Sequence, residues 1–283
     1  MRAESAITGI DHALVGVRDL EAARANWAAL GFAVTPRGRH IGWGTGNYCI
    51  MFERGYVELL GIVDATQFTN NLDKFLAERE GLLSLAFRSA DNLRTARWLG
   101  DAGIAADGPK DLKRALELPE GTVMPAFKLV SVPPATTPGL KAFFCQHLTP
   151  ELIRRPAWVV HANRAIALQA VVTVAERPAD LAPAYARLFG DSAVQGTAES
   201  LAVDTGEGNL LFVTPAELGR LYPGIVVPGI VPPWIAALRI GVPGIAETAD
   251  YLDEKGVQTL ATGRGVAVPP TLATGAIVEF VPA

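Results

Sequence analysis

The stretch "GYVELLGIV", residues 55 to 63, sets a carboxylate among apolar side chains. Read as a strand, it puts Tyr56, Glu58, Leu60 and Ile62 on one face and leaves valine and leucine on the other. A carboxylate on so apolar a face is unfavourable to bury unless something compensates it, so Glu58 marks a candidate site. All four histidines, His12, His40, His147 and His161, precede residue 162. "RHIGWGTGN" is glycine-rich, but it carries no lysine–serine pair and opens no helix, so it is neither a phosphate loop nor a dinucleotide fingerprint. It reads as a loop bringing His40 and Asn47 to a cleft mouth, or equally as a plain turn between strands. Arg154 and Arg155 suit an anionic group, or are solvated charges on a connector. No Ser-His-Asp, CxxC, helix-turn-helix or zinc-finger pattern accompanies them.

Positioning such residues is the work of four segments with one layout: an apolar strand, a polar turn, an amphipathic helix, then glycine. They are "DHALVGVRDLEAARANWAALGF", "SLAFRSADNLRTARWLGDAGI", "LQAVVTVAERPADLAPAYARLFG" and "AALRIGVPGIAETADYLDEKGV". Anchored on Gly31, Gly103, Gly190 and Gly256, the strands fall into register, with His12, Ser84 and Ala237 each 19 residues before their glycine. The helices repeat apolar residues every three or four positions, as in Leu20, Ala23, Trp27 and Leu30. The glycines stand where a left-handed C-cap is commonly needed. Three short apolar segments follow in each unit, and "GAIVEFVPA" at the end echoes "GYVELLGIV". The expected fold is therefore α+β, with four βαβββ units. A single unit cannot bury both faces of its sheet, so the units should pair into two domains, residues 1–155 and 165–283.

The chain has 283 residues, 49% apolar and 19% charged, with a net charge of -4. That balance gives no electrostatic reason to expect nucleic acid or an anionic membrane as partner. The N-terminus lacks the basic-then-apolar layout of a signal peptide, and the most apolar run, "IVVPGIVPPWIAAL", is proline-broken and too short to span a bilayer. Cys49 and Cys145 lie in apolar strand-like segments and read as reduced and buried, which with the rest suggests a cytoplasmic protein. Oligomeric state stays open, a homodimer included.

The βαβββ duplication resembles the vicinal oxygen chelate superfamily, which holds glyoxalase I, fosfomycin-resistance proteins and extradiol dioxygenases. "IDHALVGVRDLEAARANWAALGF", "RHIGWGTGN", "GYVELLGI" and "CQHLTPELIRRPAW" resemble the glyoxalase-like domain proteins within it. The resemblance implies a cleft with metal ligands on the first and last strands of each unit, here His12 and Glu58. In the second unit Ser84 stands where histidine is frequent, and Gln146, followed by His147, stands where glutamate is usual. The implied site is thus His12 and Glu58 with Gln146 or His147 as third ligand, suited to zinc, iron, manganese, nickel or cobalt. His12, Glu58 and His147 would carry catalysis, and His40, Asn47 and Gln146 would contact substrate. Two functions follow as expectations: a metal-dependent lyase or isomerase acting on a small oxygen-rich substrate, or a metal-free small-molecule binding protein. "QHLTPELIRRPAW" should end a strand and begin a short helix capped by Thr149. The second domain, with Glu279 as its one ordinary ligand type, is expected to carry no metal.

Overall fold

The computed structural model describes residues 5–227 and 229–283. Four strand–helix–three-strand units follow one another, as the spacing predicts. The first is β1 (Ile7–Gly16), α1 (Leu20–Ala29), β2 (Gly38–His40), β3 (Thr45–Met51) and β4 (Tyr56–Ile62). A connecting helix that the periodicity does not announce, α2 (Leu72–Glu78), leads to the second unit: β5 (Gly81–Ser89), α3 (Asn92–Asp101), β6 (Asp107–Leu118), an extra β7 (Gly121–Val123), β8 (Ala126–Ser131) and β9 (Ala142–His147). The third unit is β10 (Ala167–Val174), α4 (Ala182–Phe189), β11 (Val194–Gly196), β12 (Ser200–Asp204) and β13 (Asn209–Val213). After α5 (Pro215–Leu221) the fourth is β14 (Trp234–Val242), α6 (Ile245–Glu254), β15 (Leu260–Ala261), β16 (Val266–Val268) and β17 (Ile277–Pro282).

In every unit the first and last strands lie side by side and parallel, as β1–β4, β5–β9, β10–β13 and β14–β17. Units then join through antiparallel pairing of their first strands, β1 with β5 and β10 with β14. The first sheet runs β2-β3-β4-β1-β5-β9-β8-β6-β7, and an additional β2–β6 pairing curls it closed. Such closure leaves a hollow lined by alternate residues of each strand. The second sheet runs β11-β12-β13-β10-β14-β17-β16-β15. Its concave side is filled: α5, Tyr222 and the following Ile225, Val227 and Ile230 pack on Val172, Val174, Trp234 and Ala237.

One core joins the two sheets. Val15, Trp27, Val57 and Phe87 of the first half share it with Val171, Phe212, Leu238 and Phe280 of the second. Phe32 stacks on Phe280 at 5.8 Å across the junction. His161 is a structural residue at this seam, accepting from the Ala33 amide at Nδ1 and donating to the Met51 carbonyl at Nε2. Asp19 and Asp91 cap α1 and α3 with their carboxylates. Thr149 does not cap the 3-10 turn Pro150–Leu152; its hydroxyl accepts from the Ala126 amide instead, tying the end of β9 to β8. Arg155 pairs with Glu120 at 2.5 Å and lies over Trp158, as a connector charge does. Among the described residues no helix is long and apolar enough to cross a membrane.

The four anchoring glycines all have positive φ, from 69° to 94°, where a side chain is strained. Gly31 also sits in the seam, where an added Cβ would lie 2.4 Å from the Tyr251 ring, whereas nothing lies within 4 Å of one at Gly256. Gly256→Ala should therefore lose about 1 kcal/mol, the backbone part alone. Gly31→Ala should lose roughly 1–3 kcal/mol more through overpacking. Urea unfolding of both variants checks this, and equal losses would mean the seam yields freely.

Candidate functional site

Strand alternation delivers the site. On β4, Tyr56, Glu58 and Leu60 face the hollow of the first sheet, while Val57 and Leu59 enter the shared core. On β1, His12 and Leu14 face the hollow and Ala13 and Val15 the core. Because β1 and β4 are parallel neighbours, with His12 opposite Tyr56 and Leu14 opposite Glu58, the two candidate ligands stand side by side. His12 Nε2 is 3.4 Å from Glu58 Oε2. Asn47, facing inward from β3, donates to Glu58 Oε1 at 2.5 Å. His40, on β2, brings Nε2 to 3.7 Å from that same oxygen and holds Nδ1 2.9 Å from the Thr45 hydroxyl. Three residues from three different strands thus meet at the Glu58 carboxylate. The glycine-rich segment places His40 and Asn47 at the site, and Gly38 lets it close: a Cβ there would lie 2.1 Å from Asn47 Oδ1.

Behind His12 stands Asp11, fully buried. Neighbours on a strand should face opposite sides, but β1 bulges here, Ile10 pairing with Phe87 and His12 with the very next residue, Ala86. The extra residue is Asp11, which the bulge turns inward. Its Oδ2 accepts from His12 Nδ1 at 2.7 Å and His147 Nε2 at 2.8 Å, and its Oδ1 from Arg88 Nε at 3.2 Å. Burial opposes the Asp11 charge, yet the two imidazoles hold its pKa well below the usual carboxylate range. Since Asp11 is ionised, His12 Nδ1 must be the donor, and Nε2 is what it offers Glu58. Tyr56 stacks on the His12 ring at 4.3 Å and Phe143 meets it edge-on.

Burial likewise opposes the Glu58 charge. The hydrogen bond and charge of His12, then the charges of His40 and Arg114, nevertheless bring its pKa from 4.5 down to about 2. His12 is raised against its own burial by Asp11 and Glu58, while burial lowers His40. At neutral pH the pair is therefore an ionised carboxylate facing a ring nitrogen that is either protonated or a bare lone pair. In the second state two acceptors face each other at 3.4 Å, and a cation between them resolves the repulsion. An imidazole and a carboxylate, with Asp11 behind the imidazole, are a donor set that fits a divalent transition metal.

The structure does not bring the expected third ligand to this point. Gln146 faces the helix side of its strand, accepting from the Asn92 amide at 2.9 Å and donating to the Ala90 carbonyl at 3.2 Å. Its amide is committed to the start of α3, away from the cavity. His147 faces inward, as alternation on β9 requires, but bonds Asp11 behind His12. There Asp11, Cys145 and His147 bring ligand atoms within 4.8 Å of one another, and Nδ1 of His147 has no partner among the described residues. Cys145 and Cys49 are both buried free thiols, with pKa values raised by burial. Sequence reasoning missed Asp11, because alternation alone points it away from His12, and it missed Arg114.

The hollow is a cavity of about 1070 Å³. His12, His40, Asn47, Glu58, Ser84 and Arg114 form part of its wall, and Trp43, Phe68, Leu72, Phe75 and Leu140 supply apolar surface. In the second half Glu279 is nearly fully buried but spoken for: it accepts from Arg239 Nε at 2.7 Å, Tyr222 at 3.0 Å and Thr262 at 2.7 Å.

Residues 10–189 match the family of the glyoxalase-like domain. No curated protein matches the chain. Among solved structures it is similar to a hypothetical protein from Staphylococcus aureus, with 12% identity and a TM-score of 0.69 over 97% of this chain and 99% of that one. It is also similar to a mutant 4-hydroxymandelate synthase from Streptomyces coelicolor, with 12% identity and a TM-score of 0.56 over 98% and 92%. A xylose isomerase-like TIM barrel/4-hydroxyphenylpyruvate dioxygenase fusion protein gives 14% identity and a TM-score of 0.56 over 92% of this chain and 40% of its own length. At these identities the likenesses show the fold alone.

Glu58 gives a pH dependence. Its folded pKa is depressed from 4.5 to about 2, so its stabilisation is present above pH 4.5 and is lost as pH falls towards 2. Metal-stripped wild-type protein should lose stability steeply across that window, on the order of 3 kcal/mol from this group. Glu58→Gln should flatten the slope, leaving the share due to Asp11. Acid titration at fixed urea, followed by tryptophan fluorescence, reads both; parallel curves would disprove the assignment.

Proposed function

The chain belongs to the glyoxalase-like domain family of the vicinal oxygen chelate superfamily, and on that premise we propose a metal-dependent lyase or isomerase acting on a small oxygen-rich substrate. The observation that carries this reading is the 3.4 Å approach of His12 Nε2 to Glu58 Oε2 in the cavity wall. These two residues would hold a divalent ion, with His40 Nε2 left free beside it. Such an ion, when bound, supplies Lewis acidity that polarises adjacent substrate oxygens and favours an enolate.

The remaining work falls to the chain's own groups. Asp11 fixes the orientation of the His12 ring and Asn47 fixes Glu58, so neither must reorganise on binding. His40, kept neutral by burial, is placed to take or return a substrate proton at Nε2. Leu14, Leu60 and Phe143 beside the pair exclude water from the reacting centre.

A second reading, metal-free small-molecule binding, is favoured by the raised pKa of His12. A protonated His12 satisfies Glu58 without any ion, and the pair would then hydrogen-bond a ligand directly. Asp11, Cys145 and His147 offer a competing ion position, but metal there requires Cys145 to lose its proton beside carboxylates that hold it. Metal analysis after loading with zinc, iron, manganese, nickel or cobalt separates these. One ion per chain in wild type, lost in His12→Ala and Glu58→Gln and kept in Cys145→Ala, is the expected result. Loss only in Cys145→Ala would move the ion, and no binding by any of the five would leave the binding protein.

A further inference from the structure

Arg114 is the buried charge that the metal reading leaves unused. It enters the cavity from β6, where the β2–β6 pairing sets it directly opposite His40, and it is only 3% exposed. Its contacts are weak ones. Nη1 reaches the Cys49 sulfur at 3.1 Å and the guanidinium lies 5.7 Å from the Phe127 ring centre. Nε has no hydrogen-bond partner, and among the described residues no carboxylate lies within ion-pair distance. The other arginines that reach into the sheets are matched: Arg88 by Asp11 and Glu207, Arg239 by Glu279. A desolvated guanidinium without a paired anion is costly by several kcal/mol, so an unfilled pairing position facing a cavity points to a ligand.

We propose that Arg114 is the anion anchor of this cavity, and that the ligand it takes is a monocarboxylate with an apolar body. This rests on reading the cavity as the substrate site and names the substrate's chemical class. The apolar body follows from the apolar part of the same cavity wall, formed by Trp43, Phe68, Leu72, Phe75 and Leu140. Phe68, at the surface, is 58% exposed. The single negative charge follows from the other ionic groups. Lys110 and Lys128 are already paired with Asp107 and Asp111, and Arg79 spends its guanidinium on the carbonyls of Glu80 and Leu82. Lys141 also lines the wall but is exposed, so among the described residues Arg114 is the fully buried lining cation left to meet an anion at depth, and Glu58 nearby repels a second negative charge. A planar carboxylate matches the guanidinium fork, whereas a phosphate dianion would need another cation.

The test uses metal-stripped full-length protein and three probes: octanoate, its uncharged isostere octanamide, and inorganic phosphate, each followed by calorimetry. Wild type should bind octanoate roughly tenfold or more tightly than octanamide, the range expected of a charge-assisted pair. Phosphate should bind more weakly than either. Arg114→Gln should erase the octanoate preference, and Arg114→Lys should keep part of it. Glu58→Gln should strengthen octanoate binding by removing the repulsion. Equal affinity for octanoate and octanamide, binding of neither, tighter phosphate, or a preference that survives Arg114→Gln would overturn the proposal. Should Arg114→Gln fail to fold, the wild-type comparison and Arg114→Lys still decide. Failure of metal loading with the octanoate preference intact would sink the metal reading alone; the reverse result would sink this one alone.

Discussion

A carboxylate buried at the bottom of an apolar hollow is the constraint around which the first half of the chain is organised. Glu58 is only 5% exposed, so its charge survives only if its surroundings replace water. They do so from three directions. Asn47 donates from β3, His12 approaches from β1, and His40 arrives from β2 with the more distant charge of Arg114 on β6 beside it. The last two come within range because β2 crosses to pair with β6. Closure of the sheet and compensation of the charge are therefore one structural event. Gly38, at the start of β2, permits both, since its missing side chain leaves room for the Asn47 amide.

The fourth unit shows what the same slot becomes when the chain itself neutralises it. Glu279 pairs across β14–β17 with Arg239, just as Glu58 pairs across β1–β4 with Leu14. Arginine in place of leucine turns a carboxylate aimed at a cavity into a buried ion pair, completed by Tyr222 and Thr262. Tyr222 belongs to the segment after α5 that fills that sheet's concave side. In the first half the corresponding helix, α2, packs at the cavity edge through Leu72 and Leu76, against Leu14 and Leu60. The hollow there stays open. Two carboxylates of equal register thus have opposite fates, decided by one neighbouring residue and by where a connecting helix lies.

The fold was legible because its signals are local and repeated. Helix periodicity recurs four times and the spacing from strand to glycine three times, the third copy being slightly longer, and each glycine proves to need positive φ. The extra β7 and the helices α2 and α5 lie outside the fourfold repeat and did not stand out. Within the site, His12, Glu58, His40 and Asn47 could be named because a polar group on an apolar strand face is conspicuous. Choosing between Gln146 and His147 required knowing which way β9 faces, and alternation sends the glutamine to α3. Asp11 was hidden for the converse reason: a bulge breaks the alternation that sequence reasoning relies on. Arg114 was hidden because "KRALEL" reads as an ordinary charged strand, and only sheet closure reveals that its guanidinium points inward.

That bulge is itself held from outside the first sheet. The turn between β12 and β13 reaches across, the Ile10 amide donating to the Glu207 carbonyl at 2.7 Å and the Glu207 amide to the Thr8 carbonyl at 3.1 Å. Gly9, between them, has no room for a side chain, as a Cβ would lie 2.4 Å from the Glu207 carbonyl oxygen. The Glu207 carboxylate also pairs with Arg88, which in turn holds Asp11 Oδ1. A continuous path of contacts therefore runs from the second half of the chain through Arg88 and Asp11 to the ring of His12. The second sheet has its concave side filled, but its β12–β13 turn clamps the strand irregularity that turns Asp11 towards His12. Its part in the site is mechanical: it fixes the bulge, the bulge aims Asp11, and Asp11 decides which nitrogen His12 presents to Glu58.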